Sequence, residues 1–203
     1  MEMNGFHEEI AGIYRLKVPF ERIYTSVFLI VHPQGNIMVD CASNASDVDN
    51  FIIPELEELG YSLSDISAIV LTHEHEDHAG GLSELLTINP ALNVINTVTT
   101  VLPGIETVPL AGHLDDCIGV FDARSHTLIS GDGLQGVGVD KYRCNIHNAS
   151  AYLKTLERIE KNEKIENVLF SHAYEPWDQD HMFGRDNVLK CIADCKCCFN
   201  VKY

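Results

Sequence analysis

The stretch Ile66-Ser67-Ala68-Ile69-Val70-Leu71-Thr72-His73-Glu74-His75-Glu76-Asp77-His78 decides how the rest of the chain is read. Its first half is an apolar run of the kind that forms a buried strand. Its second half gathers three imidazoles and the carboxylate of Asp77 just past the strand's carboxyl end, where loops of α/β proteins carry function. Nitrogen and oxygen donors of this character suit zinc, iron or manganese better than copper(I) or an iron–sulfur cluster. In extended backbone, residues two apart share a side, so His73 and His75 converge on one ion while Asp77 and His78 reach a different point. Two metals then become geometrically natural. The competing reading is a solvated acidic loop with incidental histidines. Glu74 and Glu76 do not complete His-Glu-x-x-His, so the helical zinc-protease arrangement is absent, and both are expected to brace the site or face solvent.

The whole chain sets limits on this site. With 203 residues and 45% hydrophobic content it is expected to form one domain over 1–203 with a sizeable core. Its 14 Lys and Arg against 30 Asp and Glu give a formal charge of −16, which repels phosphate backbones and anionic membranes. The expected partner is therefore a small-molecule substrate, with neither nucleic acid nor membrane involved. Met1 to Ile10 lacks the basic start and apolar core of a secretory signal, and no apolar run approaches the roughly 20 residues that span a bilayer. Seven cysteines fit reduced thiols better than a disulfide framework. A cytoplasmic location follows as the expectation.

Strand and helix signals place the motif in context. Ser26 to Val31 and Asn36 to Asp40 flank His32-Pro33-Gln34-Gly35 and predict a β-hairpin ending at Asp40. Asp47 to Gly60 predicts a helix that Pro54 should kink or delay. Ala79 to Ile88 has the helical spacing Leu82, Leu85, Leu86. Short β-like runs follow at Asn93 to Leu102, Glu106 to Ala111, Cys117 to Phe121 and Thr127 to Ser130. Asn148 to Asn162 predicts an amphipathic helix with Tyr152, Leu153, Leu156 and Ile159 on one face, and Val168 to Ser171 a further strand. Strands first, then alternating strand and helix, suggest two packed sheets with helices outside.

A closed dinuclear site needs more donors than the first run supplies, and they should sit at strand ends. Three residues repeat that local grammar: His113 after Glu106 to Ala111, Asp132 after Thr127 to Ser130, and His172 after Val168 to Ser171. Each alone would more often be a turn residue; together they form a set.

The string Ile69 to Gly81, followed by Gly112-His113, Gly131-Asp132 and Ser171-His172, resembles the metallo-β-lactamase-fold metallohydrolases at all seven ligand positions. The resemblance runs from about Asn4 to His172. It implies an α/β (α+β) fold, a four-layer αβ/βα sandwich of two packed mixed β-sheets with outer helices. Carried over by position, His73, His75 and His113 bind one ion, Asp77, His78 and His172 the second, and Asp132 bridges them. Asp77 doubles as the group that orients the attacking water. The implied cofactor is two divalent ions, zinc first, with iron or manganese as alternatives. Metal coordination brings the pKa of water towards ~7, and an ion polarises the scissile oxygen.

The implied activity is hydrolysis of a small ester, thioester, lactone or related substrate. The alternative is a persulfide dioxygenase-like oxidoreductase with one iron. Retention of His75 argues against the diiron redox scaffolds, which carry Glu there. A β-lactamase is disfavoured by the lack of an export signal. A nuclease is disfavoured by the acidic charge and the lack of an added domain. Hydroxyacylglutathione hydrolases match the first cluster, but only 31 residues follow His172, too few for their C-terminal helical domain. Only 34 residues separate His78 from His113, shorter than in the relatives, which predicts a more open site or one completed by a second subunit of a homodimer.

Several features near these positions remain. Asp115 and Asp116 read as exposed turn residues more readily than as braces for His113. Cys117 reads as a buried structural thiol. Gly131 to Gly138 lacks the phosphate-loop lysine and dinucleotide spacing, so its glycines serve a sharp turn. Tyr142, Arg143, Asn145 and His147 are candidate substrate contacts. Cys191, Cys195, Cys197 and Cys198 lie at helical, not zinc-ribbon, spacing and predict a helix with small apolar thiols.

Overall fold

The computed structural model describes residues 5–136, 146–176 and 178–200, with 199 and 200 described by backbone alone. The chain forms two compact units, Met1–Asn96 and Thr97–Tyr203. The first holds a six-stranded sheet in the order β1-β2-β3-β4-β5-β6: His7–Ile10, Ile13–Phe20, Ile23–Ile30, Asn36–Val39, Ile66–Val70 and Asn93–Ile95. Strands β1 to β4 pair antiparallel, while β5 and β6 add in parallel. Such mixed pairing demands connections that cross over the sheet, here the segments 40–65 and 71–92.

The expected hairpin is β3 and β4, with Leu29 opposite Met38. Leu16, Val18, Val27, Leu29, Met38 and Ile69 alternate onto one face and pack with Val48, Ile52, Leu56 and Leu85 from the crossovers. Full burial of such a side chain contributes about 1.5–3 kcal/mol. Residues of the opposite face, Ile13, Phe28, Ile30, Ile37, Val39 and Val70, are equally buried. Burial on both faces is why β3 to β5 read as continuous apolar runs, without polar alternation.

The helix predicted for 47–60 is divided. Helix α1 (Ala45–Asp47) runs into a π turn, Val48–Ile52, and then α2 (Ile53–Glu58). Pro54 explains the division: it cannot donate to the carbonyl four residues back and its ring crowds it, and the wider turn, closed by Ile53 N–H to the Val48 carbonyl, relieves both problems. The helix predicted for 79–88 is also divided, into α3 (Glu76–Ala79) and α4 (Leu82–Ile88).

The second unit holds the order β12-β11-β10-β9-β8-β7: His181–Phe183, Asn167–Leu169, Thr127–Ile129, Ile118–Asp122, Ile105–Pro109 and Thr100–Leu102. This sheet is mixed as well, with β10 and β11 the parallel pair. The single run expected over 93–102 is therefore two strands, one in each sheet. Between the two sheet segments come α5 (Ala149–Lys161) and, after β12, α6 (Arg185–Asn200). Asn148 caps α5 by accepting from Ala151 N–H, as its sequence suggested. Tyr152, Leu156 and Ile159 of α5 pack with Val188, Cys191, Ile192 and Cys195 of α6 over Phe121, Leu128 and Val168. Cys191 and Cys195 thus serve as small core residues, and all six cysteines among the described residues are free thiols. No helix of the described residues is long and apolar enough to cross a membrane.

Candidate metal centre

In the first unit, β5 delivers the chain to Thr72, and the run bends. His73 and His75 precede a helical turn, Glu76–Ala79, in which the His78 and Ala79 amides donate to the His75 carbonyl. The expectation of an extended run through His78 is corrected accordingly. His73 Nε2 and His75 Nδ1 are 3.1 Å apart, and His78 Nε2 and Asp77 Oδ2 are 3.4 Å apart. The ring of His73 lies 4.1 Å from that of His78 and 4.7 Å from that of His75. Glu74 and Glu76 face solvent.

One buried carboxylate organises this turn. Asp40, with no exposure, accepts from Thr72 N–H (2.8 Å), Thr72 Oγ1 (2.9 Å) and His78 Nδ1 (2.8 Å). Because the carboxylate only accepts, Nδ1 of His78 carries the proton and Nε2 keeps its lone pair. Thr72 has a single hydroxyl hydrogen and gives it to Asp40, so its oxygen must accept from His73 Nδ1, 3.1 Å away. His73 Nε2 is therefore also a lone-pair nitrogen. Two imidazoles are thus fixed in the tautomer a cation requires by one side chain that the sequence marked only as a strand end. The signal was available: a lone Asp closing the apolar strand that neighbours the ligand-bearing one.

Asp40 sits at φ 60° and Ala42 at φ 59°, an unusual backbone for residues with a Cβ. Cys41 between them donates its amide and its thiol to the His78 carbonyl. Burial, helped by the Asp40 charge, raises the Cys41 thiol far above the usual thiol range. The division between α3 and α4 has the same origin. A Cβ on Gly80 would lie 1.9 Å from the Ser43 carbonyl oxygen, and one on Gly81 2.1 Å from that of Cys41. Only glycine permits that approach.

The second unit assembles its donors differently. Asp132 lies in the 3₁₀ turn Gly131–Gly133 after β10, braced by Ser130, whose hydroxyl donates to the Leu134 carbonyl. Its Oδ2 lies 3.7 Å from His113 Nε2 and its Oδ1 3.3 Å from His172 Nε2. Each carboxylate oxygen so faces a different imidazole, and all three residues are almost fully buried. His113 follows β8 through Gly112, whose carbonyl accepts from the amides of His147 and Asn148 at the start of α5. Asp115 and Asp116 are exposed turn residues, Asp115 accepting from the Asn148 side chain, and Cys117 is buried. His147 is exposed at the start of α5; Tyr142, Arg143, Asn145 and the end of the glycine-rich loop lie outside the described residues.

Residues 21–104 match the family model of the metallo-β-lactamase superfamily. The fold is that of DIM-1 metallo-β-lactamase, with a TM-score of 0.71 at 14% identity over 97% of this chain and 99% of that one. The chain has the metallo-β-lactamase fold, and within it residues 21–104 carry the sequence pattern of the superfamily. Also similar is the metallo-β-lactamase FIM-1 from Pseudomonas aeruginosa, solved in a mono-zinc form, at TM-score 0.70, 17% identity and 95% coverage of both chains. By sequence, the chain is 36% identical over 81 residues to a hydroxyacylglutathione hydrolase of Photobacterium profundum, covering 38% of this chain and 31% of the relative. It is 24% identical over 156 residues to that of Legionella pneumophila, covering 64% and 61%. The chain matches less than two thirds of the length of either curated relative.

Proposed function

We propose that His73, His75, Asp77, His78, His113, Asp132 and His172 hold two divalent ions, zinc first among them, and that the chain is a hydrolase of a small ester, thioester, lactone or related acyl substrate. The observation that carries the reading is Asp132, whose two oxygens face two separate imidazoles, the disposition a bridging carboxylate needs. The donor set fits the ions: neutral imidazoles with lone pairs held at Nε2 by Asp40 and Thr72, and carboxylates that offset part of the charge. Bound there, the ions would supply a water acidified towards neutral pH and Lewis-acid polarisation of the substrate oxygen. Asp77, half-buried on the helical turn, would accept a hydrogen bond from such a water and orient it. Asp40, by accepting from His78 Nδ1–H, would keep the Nε2 lone pair of His78 available to an ion. Hydroxyacylglutathione hydrolase relatives favour a thioester within this class, and the free thiols suit the reducing cytoplasm.

Elemental analysis of protein purified without chelators, followed by a screen of lactones, thioesters, phosphodiesters and β-lactams, tests the reading. About two zinc per chain and acyl hydrolysis are expected. Asp132→Ala should lose metal and lower kcat/KM by at least about 10³-fold, on the order of 4 kcal/mol of barrier. A single iron per chain without hydrolysis would sink the proposal in favour of the persulfide dioxygenase.

A further inference from the structure

The second unit carries one more imidazole beside its donors. The His147 ring centre lies 5.8 Å from that of His113, the rings tilted by 44°. Its position is not a matter of a loose loop. His147 N–H and Asn148 N–H both donate to the Gly112 carbonyl, at 3.0 and 2.9 Å, so the backbone of 147 is tied to the residue immediately before His113. Gly112 is backed by Tyr152, and the Ala111 carbonyl accepts from Thr155 Oγ1 at 2.8 Å, which fixes the same loop to α5 from behind.

The two histidines differ in one respect that separates their roles. His113 is buried and faces Asp132; His147 is exposed, and among the described residues no hydrogen bond joins the two rings or holds the His147 ring to another group. His147 also falls outside the sets of converging donors that could hold a cation. A pinned backbone and a ring with no hydrogen-bond partner among the described residues leave this imidazole available to a ligand beside His113. Whichever tautomer it adopts, a neutral imidazole offers one N–H donor and one acceptor.

We propose that His147 is a substrate-contacting residue, donating its imidazole N–H to an oxygen of an acyl substrate seated against His113. The inference rests on the hydrolase reading and assigns one wall of its substrate site. It also places a specificity: substrates with an oxygen acceptor next to the scissile bond gain from His147, and isosteres lacking that oxygen do not.

The test uses the metal-loaded full chain with His147→Ala and His147→Gln, assayed for metal content and for kcat and KM on whichever ester, thioester or lactone the wild type hydrolyses. Both variants should keep wild-type metal content. His147→Ala should raise KM about 10-fold while kcat changes less than about 3-fold, and His147→Gln, which retains an N–H donor, should recover most of the loss. Metal lost on His147→Ala would make the residue a ligand and overturn the proposal. So would an unchanged KM in an active variant, which leaves the hydrolase reading standing. A wild type that hydrolyses nothing in the panel overturns the hydrolase reading and His147's role together.

Discussion

The two units each contribute a six-stranded sheet and a group of candidate donors, yet they hold those side chains by opposite means. In the first, four candidate donors lie within six consecutive residues, and two of them, His78 directly and His73 through Thr72, depend on a single buried carboxylate, Asp40. In the second, three donors lie 19 and 40 residues apart in sequence and each has its own support: Gly112 and the start of α5 for His113, the Ser130 turn for Asp132, the end of β11 for His172. Contiguous donors are cheap to encode and share one point of failure. Dispersed donors need three correctly placed loops but fail one at a time.

Asp40→Ala should give the largest effect. It leaves the His78 Nδ1–H, the Thr72 amide and the Thr72 hydroxyl buried without an acceptor, a loss of about 3–5 kcal/mol. Chemical denaturation should show that loss, and elemental analysis a collapse of metal content. Asp40→Asn sharpens the result, because Asn tolerates the positive φ and still accepts from the Thr72 amide but presents its own N–H groups to His78 or Thr72. It should fold better than the alanine variant and bind metal no better. Retained metal in Asp40→Ala would mean that His73 and His78 do not depend on their common support.

Gly112→Ala probes the second unit. At φ 151°, with a Cβ that would meet Tyr152 at 2.6 Å, the substitution should cost about 1–3 kcal/mol, seen as a drop in melting temperature of roughly 2–4 °C per kcal/mol. Metal content should fall only in part, since Asp132 and His172 keep their supports. Complete loss of metal would erase the contrast between the units.

The smallest effect belongs to Asp65, which closes a capping box with Ser62 just before β5. The Ser62 hydroxyl and amide hold its carboxyl below the ordinary 3.8. A carboxyl whose folded pKa is depressed stabilises the fold above 3.8 and loses that contribution as pH falls through the lower folded value. Asp65→Asn should therefore melt slightly below wild type at pH 7, and the gap should close as the pH drops below 3.8. A gap that persists at lower pH would assign the effect to something other than the charge.

What was legible in the sequence was local. The run 66–78, the hairpin around Pro33-Gly35 and the helix after Asn148 each declare themselves through a strong pattern confined to a few residues. The strands missed near the amino terminus and at 181–183 lack that pattern. In β2, Arg15 occupies a buried position, paired with Glu9 at 3.1 Å and lying 5.1 Å over Phe28, so the strand carries a charge where periodicity expects an apolar residue. The strand β12 is short and lies at a sheet edge, and its exposed His181 and Phe183 give no burial signal.

The sequence by itself determined the candidates: which side chains have cation-binding chemistry, that seven of them follow strand ends, and which superfamily that order resembles. It could do so because strand-then-donor is a short-range grammar. Only the tertiary structure decided how the donors are held. The role of Asp40 depends on a neighbouring parallel strand, the helix break at Gly80-Gly81 on the backbone of 41–43, and the pairing of Asp132 with His113 and His172 on loops far apart in the chain. Those are contacts between residues that no local pattern connects.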